Sequence, residues 1–495
     1  MGLLDRRTLL ILAAGSGASL GLAACGAGAA GAPVGASAIA AREAARSASG
    51  ATRRLALRAR PIEVDLGGTV VHTWAYGSTI PGKAFRATAG DRVIVDFRND
   101  LPEPTSVHWH GLAIRNDMDG VPGVTTPETA PGARFTFDFV VPDPGTHWFH
   151  PHHGLQLDHG LYAPFVIDDP AEPGDYDAEW VLVLDDWTDG VGPDATEIMA
   201  GLVAAGGSGD GTNGMGMDHD MGGMGGMGGM GMDGGDVTYP FYLVNGRVPS
   251  DPETLVARAG DRIRLRIINA AADTAFTVAL GGHDLRVTHS DGYPVQPVAA
   301  QSVRIGMGER YDAVVTLGDG VFTFAAAPEG KTGLARALIR TGSGAVPPAS
   351  ARPAELAAYP LTVDALRAAD SARLPGRSPD TVQDLLLSGS MAPYVWTING
   401  TTYEDTVPLT IREGQVGRLS IRNMSMMSHP VHLHGHTFQM GAAGGAGPRK
   451  DTVLVPPMGG YRVDLVADNP GTWMVHCHNA YHADAGMMTR LDYVA

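Results

Sequence analysis

Histidines stand out in this sequence because they cluster. Ten of the 18 fall into four short groups, which are His108/His110, His150/His152, His429/His432/His434 and His476/His478/His482. Residues i and i+2 of a β-strand point to the same face, so a His-x-His pair in a strand presents two imidazoles to one side. Imidazole is the side chain that most often binds metal ions in proteins. The four His-x-His pairs therefore predict a multinuclear metal cluster held by eight imidazoles.

Cys477 adds a second kind of ligand. It lies between His476 and His478, so its sulfur faces the opposite side of the strand and is free to bind a separate metal ion. The chain has one other cysteine, Cys25, which leaves no disulfide framework for a protein that carries an export signal. A lone thiol survives in an oxidising compartment most easily as a metal ligand. One strand is thus predicted to serve two metal sites.

Three further residues complete the second site. His429, His482 and the thioether of Met487 combine with Cys477 into the His₂Cys set with a weak axial Met that is typical of a blue-copper electron-transfer centre. Met488 is the neighbouring alternative for the axial position. An electron that reaches the sulfur has only the adjacent backbone to cross before it arrives at the flanking histidines. The spacing predicts a short electron path between a mononuclear and a multinuclear site.

The elements that must hold these ligands repeat along the chain. Three stretches run from a Gly to an Asn with alternating hydrophobic and polar residues between them, as in a half-buried strand: Gly90–Asn99, Gly260–Asn269 and Gly414–Asn423. A repeat of roughly 150 to 170 residues has the size of a β-sandwich or Greek-key barrel. The 67 Gly and 34 Pro favour short strands joined by turns. We therefore predict an all-β protein of three domains.

A second landmark recurs in the first and third repeats. Residues 144–152 and 470–478 both begin with Pro-Gly-Thr and both end in His-x-His at the same offset. The middle repeat has alanines, at 325–327, where the others have histidines. The middle domain is therefore predicted to keep the fold without a metal site. The cluster then falls at the interface between the first and third domains, so the chain must fold back on itself.

Domain boundaries follow from this repeat. We expect an export signal and a disordered start over residues 1–50, and three domains over 51–172, 173–345 and 346–495, the last with the blue-copper site. Inside the second domain, residues 206–236 consist almost entirely of Gly, Met and Asp and cannot form a core. Their seven methionines make this span either a flexible insertion or a thioether-rich trap for Cu(I).

The N-terminus predicts export. Arg6-Arg7 before an apolar stretch resembles a twin-arginine signal, and Leu-Ala-Ala-Cys at 22–25 resembles a bacterial lipobox whose cysteine is lipidated. The alternative is an ordinary cleaved signal with an incidental cysteine. No later run is apolar and long enough to span a bilayer, so we expect a periplasmic or cell-envelope protein, lipid-anchored if Cys25 is modified. A net charge of −17 without a basic stripe argues against a nucleic-acid partner.

Four motifs together resemble those of three-domain bacterial multicopper oxidases over essentially the whole mature chain. They are His-Trp-His-Gly at 108–111, His-Pro-His at 150–152, His-Pro-Val-His-Leu-His-Gly at 429–435 and His-Cys-His-x₃-His-x₄-Met at 476–487. The resemblance implies three consecutive cupredoxin-like Greek-key β-sandwich domains with four bound copper ions. It also implies that electrons taken one at a time from a donor reduce dioxygen to water.

The resemblance assigns each ligand as well. The type 1 copper would be held by His429, Cys477, His482 and Met487. The type 2 copper would be held by His108 and His432. The type 3 pair would be held by the other clustered histidines, which are His110, His150, His152, His434, His476 and His478. His147, His153 and His436 lie outside the pattern and are expected to be non-ligands.

Dioxygen reduction also consumes protons, which calls for an acid near the cluster. Asp119 follows the first motif and matches a carboxylate with that role in related enzymes; the alternative is that it belongs to a simple turn. Some relatives have a Glu directly after the third histidine of the last motif, where this chain has Ala483 followed by Asp484. Asp484 is either a substitute or an ordinary exposed carboxylate, and the second interpretation is favoured.

The electron donor must be inferred from residues around the type 1 ligands. Cu(I) or Fe(II) needs thioethers or carboxylates there, whereas phenols need an open pocket beside His482. Methionines in such runs usually fill the core. Near His429, however, the chain has four of them, which are Met424, Met426, Met427 and Met440. Together with the span 206–236 they favour cuprous ion, with copper tolerance as the role, over a laccase-type phenol oxidase or a ferroxidase.

Two other classes of protein stay open at this point. A non-catalytic copper-binding or storage protein would use the methionines but would not need ten clustered histidines and Cys477. A copper nitrite reductase also combines cupredoxin domains, but it lacks a type 3 pair. The copper content per chain separates these alternatives from an oxidase.

Overall fold

The computed structural model describes residues 34–46, 48, 50–172, 174–207, 234–441 and 447–495. Within these ranges, pairs of β-sheets follow one another three times along the chain. Each pair of sheets forms one domain. The helices are few and short, which confirms the all-β prediction.

The first domain has eight strands: β1 (Thr52–Asp65), β2 (Val70–Tyr76), β3 (Phe85–Thr88), β4 (Arg92–Asn99), β5 (His108–His110), β6 (Arg134–Val140), β7 (Gly145–His150) and β8 (Ala163–Asp168). One sheet has the order β2-β1-β4-β6 and the other β3-β8-β7-β5. Val93 and Phe97 from the first sheet share one buried cluster with Trp109 and Phe149 from the second. The two sheets therefore form a sandwich.

The described part of the second domain has eleven strands: β9 (Ala178–Trp187), β10 (Phe241–Val244), β11 (Thr254–Val256), β12 (Arg262–Asn269), β13 (Phe276–Leu280), β14 (Leu285–Ser290), β15 (Tyr293–Ala300), β16 (Ser302–Ile305), β17 (Arg310–Thr316), β18 (Val321–Pro328) and β19 (Ala335–Arg340). Its sheets have the orders β10-β9-β12-β17-β14-β15 and β11-β19-β18-β13-β16. The alanines at 325–327, which replace the histidines of the other repeats, lie in β18.

Outside residues 442–446, the third domain also has eleven strands: β20 (Thr381–Met391), β21 (Tyr394–Ile398), β22 (Leu409–Ile411), β23 (Val416–Asn423), β24 (His429–Leu433), β25 (Phe438–Met440), β26 (Arg449–Lys450), β27 (Thr452–Val455), β28 (Gly460–Val466), β29 (Thr472–Cys477) and β30 (Met488–Tyr493). Its sheets have the orders β21-β20-β23-β28-β25-β26 and β22-β30-β29-β24-β27.

The Gly–Asn repeat occupies the same position in all three domains. It contains β4, β12 and β23, and each of these strands pairs in parallel with the first long strand of its domain, which is β1, β9 or β20. On its other side, each pairs antiparallel with β6, β17 or β28. The repeat seen in the sequence is thus a repeat of topology.

One strand departs from the predicted half-buried pattern. β12 is buried on both faces, because Arg264 and Arg266 on its polar side are each only 2% exposed. Both guanidinium groups form ion pairs with Asp312, at 2.7 and 3.2 Å. Buried arginines are tolerated where a carboxylate neutralises them, so alternation in the sequence does not reveal which strand face meets another domain.

Three α-helices occur in the described ranges: α1 (Ala36–Ala45), α2 (Ala195–Gly207) and α3 (Ala480–Asp484). Short 3₁₀ helices cover Asn116–Met118, Gln156–His159, Ala354–Ala357, Val363–Ala365, Asp370–Ala372 and Tyr403–Asp405. None of these helices is long and apolar enough to pass through a bilayer.

Helix α1 corrects the expectation that everything before residue 51 is disordered. Six of its ten residues are alanine, the residue with the highest helix propensity. Glu43 accepts a hydrogen bond from the backbone of Val140 in the first domain, and Arg46 after the helix donates to Asn469 in the third, at 2.9 Å. Helix formation and contacts with two domains therefore order this segment. Cys25 lies outside the described residues.

Candidate metal centres

Four strands bring the eight paired histidines together. His108 of β5 lies opposite His150 of β7, and His432 of β24 lies opposite His476 of β29. The two strand pairs belong to the first and third domains. Their imidazoles stack across the interface, with ring centroids 3.8 Å apart for His108 and His434 and 3.9 Å apart for His110 and His432. His152 is partly exposed, and the other seven are buried.

The ring nitrogens converge in groups of three. The groups His108/His432/His434, His108/His110/His150 and His152/His434/His476 each have one nitrogen per residue within 4.8 Å of the others. In the last group, the Nε2 atom of His476 lies 3.1 Å from that of His434 and 3.3 Å from that of His152. Three imidazole nitrogens around one point are suited to a transition-metal ion.

Several of these nitrogens have no hydrogen-bond partner among the described residues. The Nε2 atoms of His108 and His432 and both ring nitrogens of His478 are buried without a hydrogen bond. An unsatisfied buried polar atom costs about 1–3 kcal/mol. The opposite nitrogen is held in two of these rings: His108 Nδ1 lies 2.9 Å from the Asp119 carbonyl oxygen, and His432 Nδ1 lies 3.0 Å from that of Asp451. The free atoms fit metal coordination.

Burial lowers the pKa of seven of these eight rings and so favours the neutral form that binds metals. Burial lowers the pKa of His476 to about 3. Burial also lowers the pKa of other members of the cluster below the ordinary histidine value, namely His110, His150, His152, His432, His434 and His478. Neutral imidazole keeps a lone pair for a metal ion.

Two buried carboxylates each touch a pair of cluster histidines. Asp119 lies 3.3 Å from His108 Nδ1 through Oδ1 and 3.0 Å from His434 Nδ1 through Oδ2. Asp451 Oδ1 lies 3.2 Å from His110 Nε2 and 3.5 Å from His432 Nδ1. Such carboxylate–histidine contacts orient metal-ligating rings. Asp119 was singled out in the sequence, whereas Asp451 was not.

The carboxylates differ in their counter-charges. Burial raises the pKa of the Asp451 carboxyl, but the charge of Arg310 and its hydrogen bonds outweigh burial and hold this pKa well below the ordinary value. In the described part of the chain, Asp119 has no lysine or arginine within ion-pairing distance. Asp451 is therefore a fixed anion.

The predicted blue-copper ligands form a separate buried group. Cys477 Sγ lies 3.7 Å from both His429 Nδ1 and His482 Nδ1, and these two nitrogens are 3.0 Å apart. Met487 is fully buried and accepts a backbone hydrogen bond from Cys477 at 3.0 Å. Burial raises the pKa of the Cys477 thiol, so a bound cation is needed to stabilise the thiolate. Two imidazoles, a thiolate and a thioether are the donor set of a blue-copper site.

Both imidazoles of this group have a polar contact on their outer edge that the sequence did not reveal. His429 Nε2 lies 2.7 Å from the Ser425 hydroxyl, and His482 Nε2 lies 3.0 Å from Asp236 Oδ2. Asp236 also accepts a hydrogen bond from Tyr394 at 2.7 Å. Asp236 is the last residue of the methionine-rich span, and no local pattern in that span marks it as a neighbour of a ligand.

A carboxylate of the second domain holds helix α3, which carries His482. Asn479 caps α3 by accepting hydrogen bonds from the backbone of Tyr481 and His482. Asp273 accepts a hydrogen bond from the Asn479 amide and forms an ion pair of 2.7 Å with Lys331. It also accepts backbone hydrogen bonds from residues 236 and 237. One buried carboxylate thus positions both α3 and Asp236.

A cavity of about 170 Å³ opens onto the histidine cluster. Its walls include His150, His152, His476 and His478, and Asp484 lies on its wall. Partial desolvation raises the pKa of the Asp484 carboxyl. Asp484 is exposed, as the sequence favoured. Its position on the cavity wall nevertheless places it next to the histidine cluster.

The three histidines expected to be non-ligands lie apart from the ligand groups. His436 Nε2 is 2.6 Å from the Tyr493 hydroxyl, and His153 Nε2 is 3.4 Å from Glu128. His147 is fully buried, and neither ring nitrogen has a hydrogen-bond partner in the described part of the chain. None of them belongs to the metal-compatible groups found in the described residues.

Comparison with known proteins agrees with this geometry. Three sequence models described as multicopper oxidase match residues 59–172, 178–344 and 377–494. The multicopper oxidase MmcO of Mycobacterium tuberculosis is 52% identical over 98% of this chain and 96% of its own length. A copper resistance protein A homolog of Pseudomonas syringae pv. tomato is 29% identical over 86% of this chain and 90% of its own.

A solved structure shares the fold as well. The laccase of Botrytis aclada superposes with a TM-score of 0.73 at 25% identity, over 90% of this chain and 88% of the laccase. The expected three-domain, cupredoxin-like architecture is thereby confirmed, and so is copper as the cofactor. The chain belongs to the multicopper oxidases, a family of copper-dependent oxidoreductases.

Proposed function

We propose that this oxidase takes single electrons from a donor at a type 1 copper and reduces dioxygen to water at a trinuclear cluster between its first and third domains. When bound, the copper ions supply the redox chemistry and the site for dioxygen. The stacking of His108 on His434 and of His110 on His432 supports one cluster shared by both domains. The ligand roles are those given above for the type 1, type 2 and type 3 ions.

The protein connects the two sites through β29. Cys477 faces the type 1 ligands, while His476 and His478 face the cluster, so an electron crosses a single residue of backbone in either direction. This path is short and excluded from water, because Cys477 is fully buried and both histidines are at most 4% exposed. Rapid transfer from one site to the other is the expected consequence.

Asp119 is proposed as the acid that supplies protons for the reduction. Its two carboxylate oxygens touch His108 and His434, which come from the two sides of the cluster. Asp484, which lines the cavity beside the cluster, is proposed as the second carboxylate on the proton route. These contacts favour a catalytic role for Asp119 over a simple turn.

Cuprous ion is proposed as the donor, with copper tolerance as the biological role. The contact of Asp236 with His482 carries this proposal, because it fixes one end of the methionine-rich span at the edge of a type 1 ligand. At the other end, Gly206 of α2 packs against the backbone of residues 391–394, next to β21, whose Trp396 ring lies 4.1 Å from His482. One end of the span therefore contacts the His482 imidazole, and the other end contacts the strand whose Trp396 packs against that imidazole.

Chemistry and similarity support the same donor. Thioethers are soft ligands that favour Cu(I), and a carboxylate attracts a cation to the site. Met424 and Met426, about half exposed, flank the Ser425 that contacts His429. The copper resistance protein A homolog is a relative whose name refers to copper tolerance. A phenol oxidase like the laccase, or a ferroxidase, is the alternative.

Oxygen uptake with Cu(I), Fe(II) and a phenol in parallel tests the donor. The copper-loaded protein is compared with a variant in which the seven methionines between 215 and 232 are replaced by serine, so that the span keeps its length. We expect Cu(I) to be the best donor and the serine variant to lose Cu(I) oxidation selectively. A phenol that outperforms Cu(I), with no effect of the serines, would establish a laccase with a passive insertion.

We also propose that the protein is exported and anchored by lipid on Cys25, which lies outside the described residues. The twin-arginine and lipobox motifs support this proposal. Fractionation of cells that produce the wild-type chain or Cys25→Ala is the test. The substitution is expected to move active oxidase from the membrane fraction to the soluble fraction. If the wild-type chain and Cys25→Ala were both found in the soluble fraction, anchoring would be contradicted.

A further inference from the structure

Arg310 is a fully buried arginine at the meeting point of all three domains. It belongs to β17 of the second domain, and its side chain is 0% exposed. Nε donates to the carbonyl oxygen of Thr146 in the first domain at 3.0 Å. Nη1 and Nη2 donate to the two carboxylate oxygens of Asp451 in the third domain, both at 2.7 Å. This guanidinium group therefore ties the copper-free domain to both domains that carry ligands.

Asp451 in turn contacts two histidines of the cluster. Its Oδ1 lies 3.2 Å from His110 Nε2 and 3.5 Å from His432 Nδ1. Its neighbour Thr452 bonds to both rings as well, at 3.1 Å from His110 Nε2 and 3.0 Å from His432 Nδ1. The nitrogens left for a metal are His110 Nδ1 and His432 Nε2, and the latter is buried without any partner. The carboxylate thus determines which nitrogen of each ring faces the cluster.

We propose that Arg310 is a positioning residue of the trinuclear site: it fixes the Asp451 carboxylate, which in turn orients His110 and His432. The inference rests on the proposed trinuclear cluster and gives the copper-free domain a part in building it. A guanidinium matches a carboxylate with two parallel hydrogen bonds, whereas a lysine supplies the same charge at a single point. Orientation, not charge alone, is what Arg310 contributes.

Two glycines leave room for this arrangement. A Cβ atom on Gly111 would lie 2.4 Å from Arg310 Nη2 and 2.7 Å from Asp451 Oδ2. A Cβ atom on Gly308, whose carbonyl accepts from Arg310 Nη1, would lie 2.8 Å from His478 Cδ2. Both glycines have positive φ, at 82°. The backbone therefore approaches the ion pair and the histidines more closely than any other residue type allows.

Other buried charged residues surround the Arg310–Asp451 pair at the interface of the second and third domains. Asp291 Oδ1 lies 3.6 Å from Arg310 Nη1, and Asp291 Oδ2 accepts backbone hydrogen bonds from Asp451 and Thr452. Lys450, also fully buried, forms ion pairs with Asp291 and Glu309, at 3.1 and 3.2 Å. These contacts fix the position of the Arg310–Asp451 pair, so substitution of Arg310 removes one defined hydrogen-bonding partner from Asp451.

The test compares Arg310→Met and Arg310→Lys with the matched control Arg264→Met. Arg264 is also buried and donates two hydrogen bonds to a carboxylate, Asp312, but contacts no ligand. Copper binding by the metal-free protein, the type 2 copper signal in electron paramagnetic resonance and thermal unfolding are measured for each. We expect Arg310→Met to weaken type 2 copper binding about 10- to 100-fold, the range found when contacts behind metal ligands are removed. Its blue type 1 absorption is expected to persist.

Arg310→Lys is expected to retain more type 2 copper than Arg310→Met but to show an altered type 2 signal, because the charge remains and the bidentate geometry is lost. Arg264→Met is expected to lower thermal stability and keep the wild-type signal. Wild-type copper binding and signal in either Arg310 variant, or an equal change in Arg264→Met, would overturn the proposal. A wild-type protein without any type 2 signal would instead refute the trinuclear cluster itself.

Discussion

The Nε2 atom of His482 lies 3.0 Å from Oδ2 of Asp236, so a carboxylate touches the outer edge of a proposed type 1 ligand. Replacing it in Asp236→Asn removes a negative charge where a cationic donor must approach. We expect KM for Cu(I) to rise about tenfold, the factor that corresponds to roughly 1.4 kcal/mol. Steady-state oxygen uptake measures this change. Tyr394→Phe is the control, because it removes a hydrogen bond to Asp236 and keeps the charge; an equal effect on phenol oxidation would contradict the prediction.

Asp119→Asn separates proton supply from electron transfer. The carboxylate contacts His108 and His434 and is far in the chain from the type 1 ligands. We expect reoxidation of the fully reduced protein by dioxygen to slow by about 10²- to 10⁴-fold, the usual contribution of a positioned acid. Anaerobic bleaching of the blue absorption by the donor should keep its rate. Stopped-flow absorbance follows both steps, and unchanged reoxidation in a fully copper-loaded variant would exclude Asp119 as the acid.

Cys477→Ser tests whether one strand serves two sites. Serine offers a hard oxygen in place of the soft thiolate that a blue-copper site requires. We expect complete loss of the blue absorption and of donor oxidation, with about one copper ion fewer per chain and an intact type 2 signal. Copper analysis and electron paramagnetic resonance are the measurements. Loss of the type 2 signal together with the blue band would show that the two groups are not separable in this way.

The buried His147 makes the stability of the metal-free protein depend on pH. Burial, with a smaller contribution from the charge of Arg310, lowers the pKa of His147 to about 3. The unfolded chain binds this proton below about pH 6.5 and the folded chain does not. Stability from this group is therefore present above pH 6.5 and is lost as pH falls toward 3, by about 1.4 kcal/mol per pH unit.

His147→Leu removes this titration. Urea unfolding of the metal-free protein at pH 7 and pH 5 should show a smaller loss of stability in the variant, by about 2 kcal/mol. His153→Leu is the control, because His153 is partly exposed beside Glu128. If wild type and His147→Leu lost the same stability between the two pH values, His147 would have to be accessible to protons in the folded state.

The sequence was informative where ligands repeat at short spacing within a strand. Alternation places both histidines of a His-x-His pair on one face of the strand and Cys477 on the other. The members of the histidine cluster and of the Cys477 group were therefore predictable from four local motifs. Asp236, Asp451 and Arg310 could not be found in this way, because each meets its histidine or carboxylate only after separate domains come together. No local spacing relates residue 310 to residue 451, since the contact depends on the relative position of two domains.

The errors also have physical causes. Helix α1 was missed because an Ala-rich stretch directly after an export signal has no amphipathic pattern to distinguish it from a linker. The double burial of β12 was missed because arginine usually marks an exposed face. In both cases, contacts with another part of the chain decide the outcome.

Strand β29 lies between β24 and β30 in its sheet, and its two faces carry residues of both proposed metal groups. Any opening of this sheet that frees Cys477 also displaces His476, since consecutive residues cannot leave their hydrogen-bonded neighbours independently. We therefore expect both groups to lose their geometry in the same unfolding step. If the two groups bind copper as proposed, heat or denaturant will remove the electron acceptor and the oxygen-reducing centre together. A damaged molecule then becomes inert and does not remain as a half-working catalyst that releases incompletely reduced oxygen.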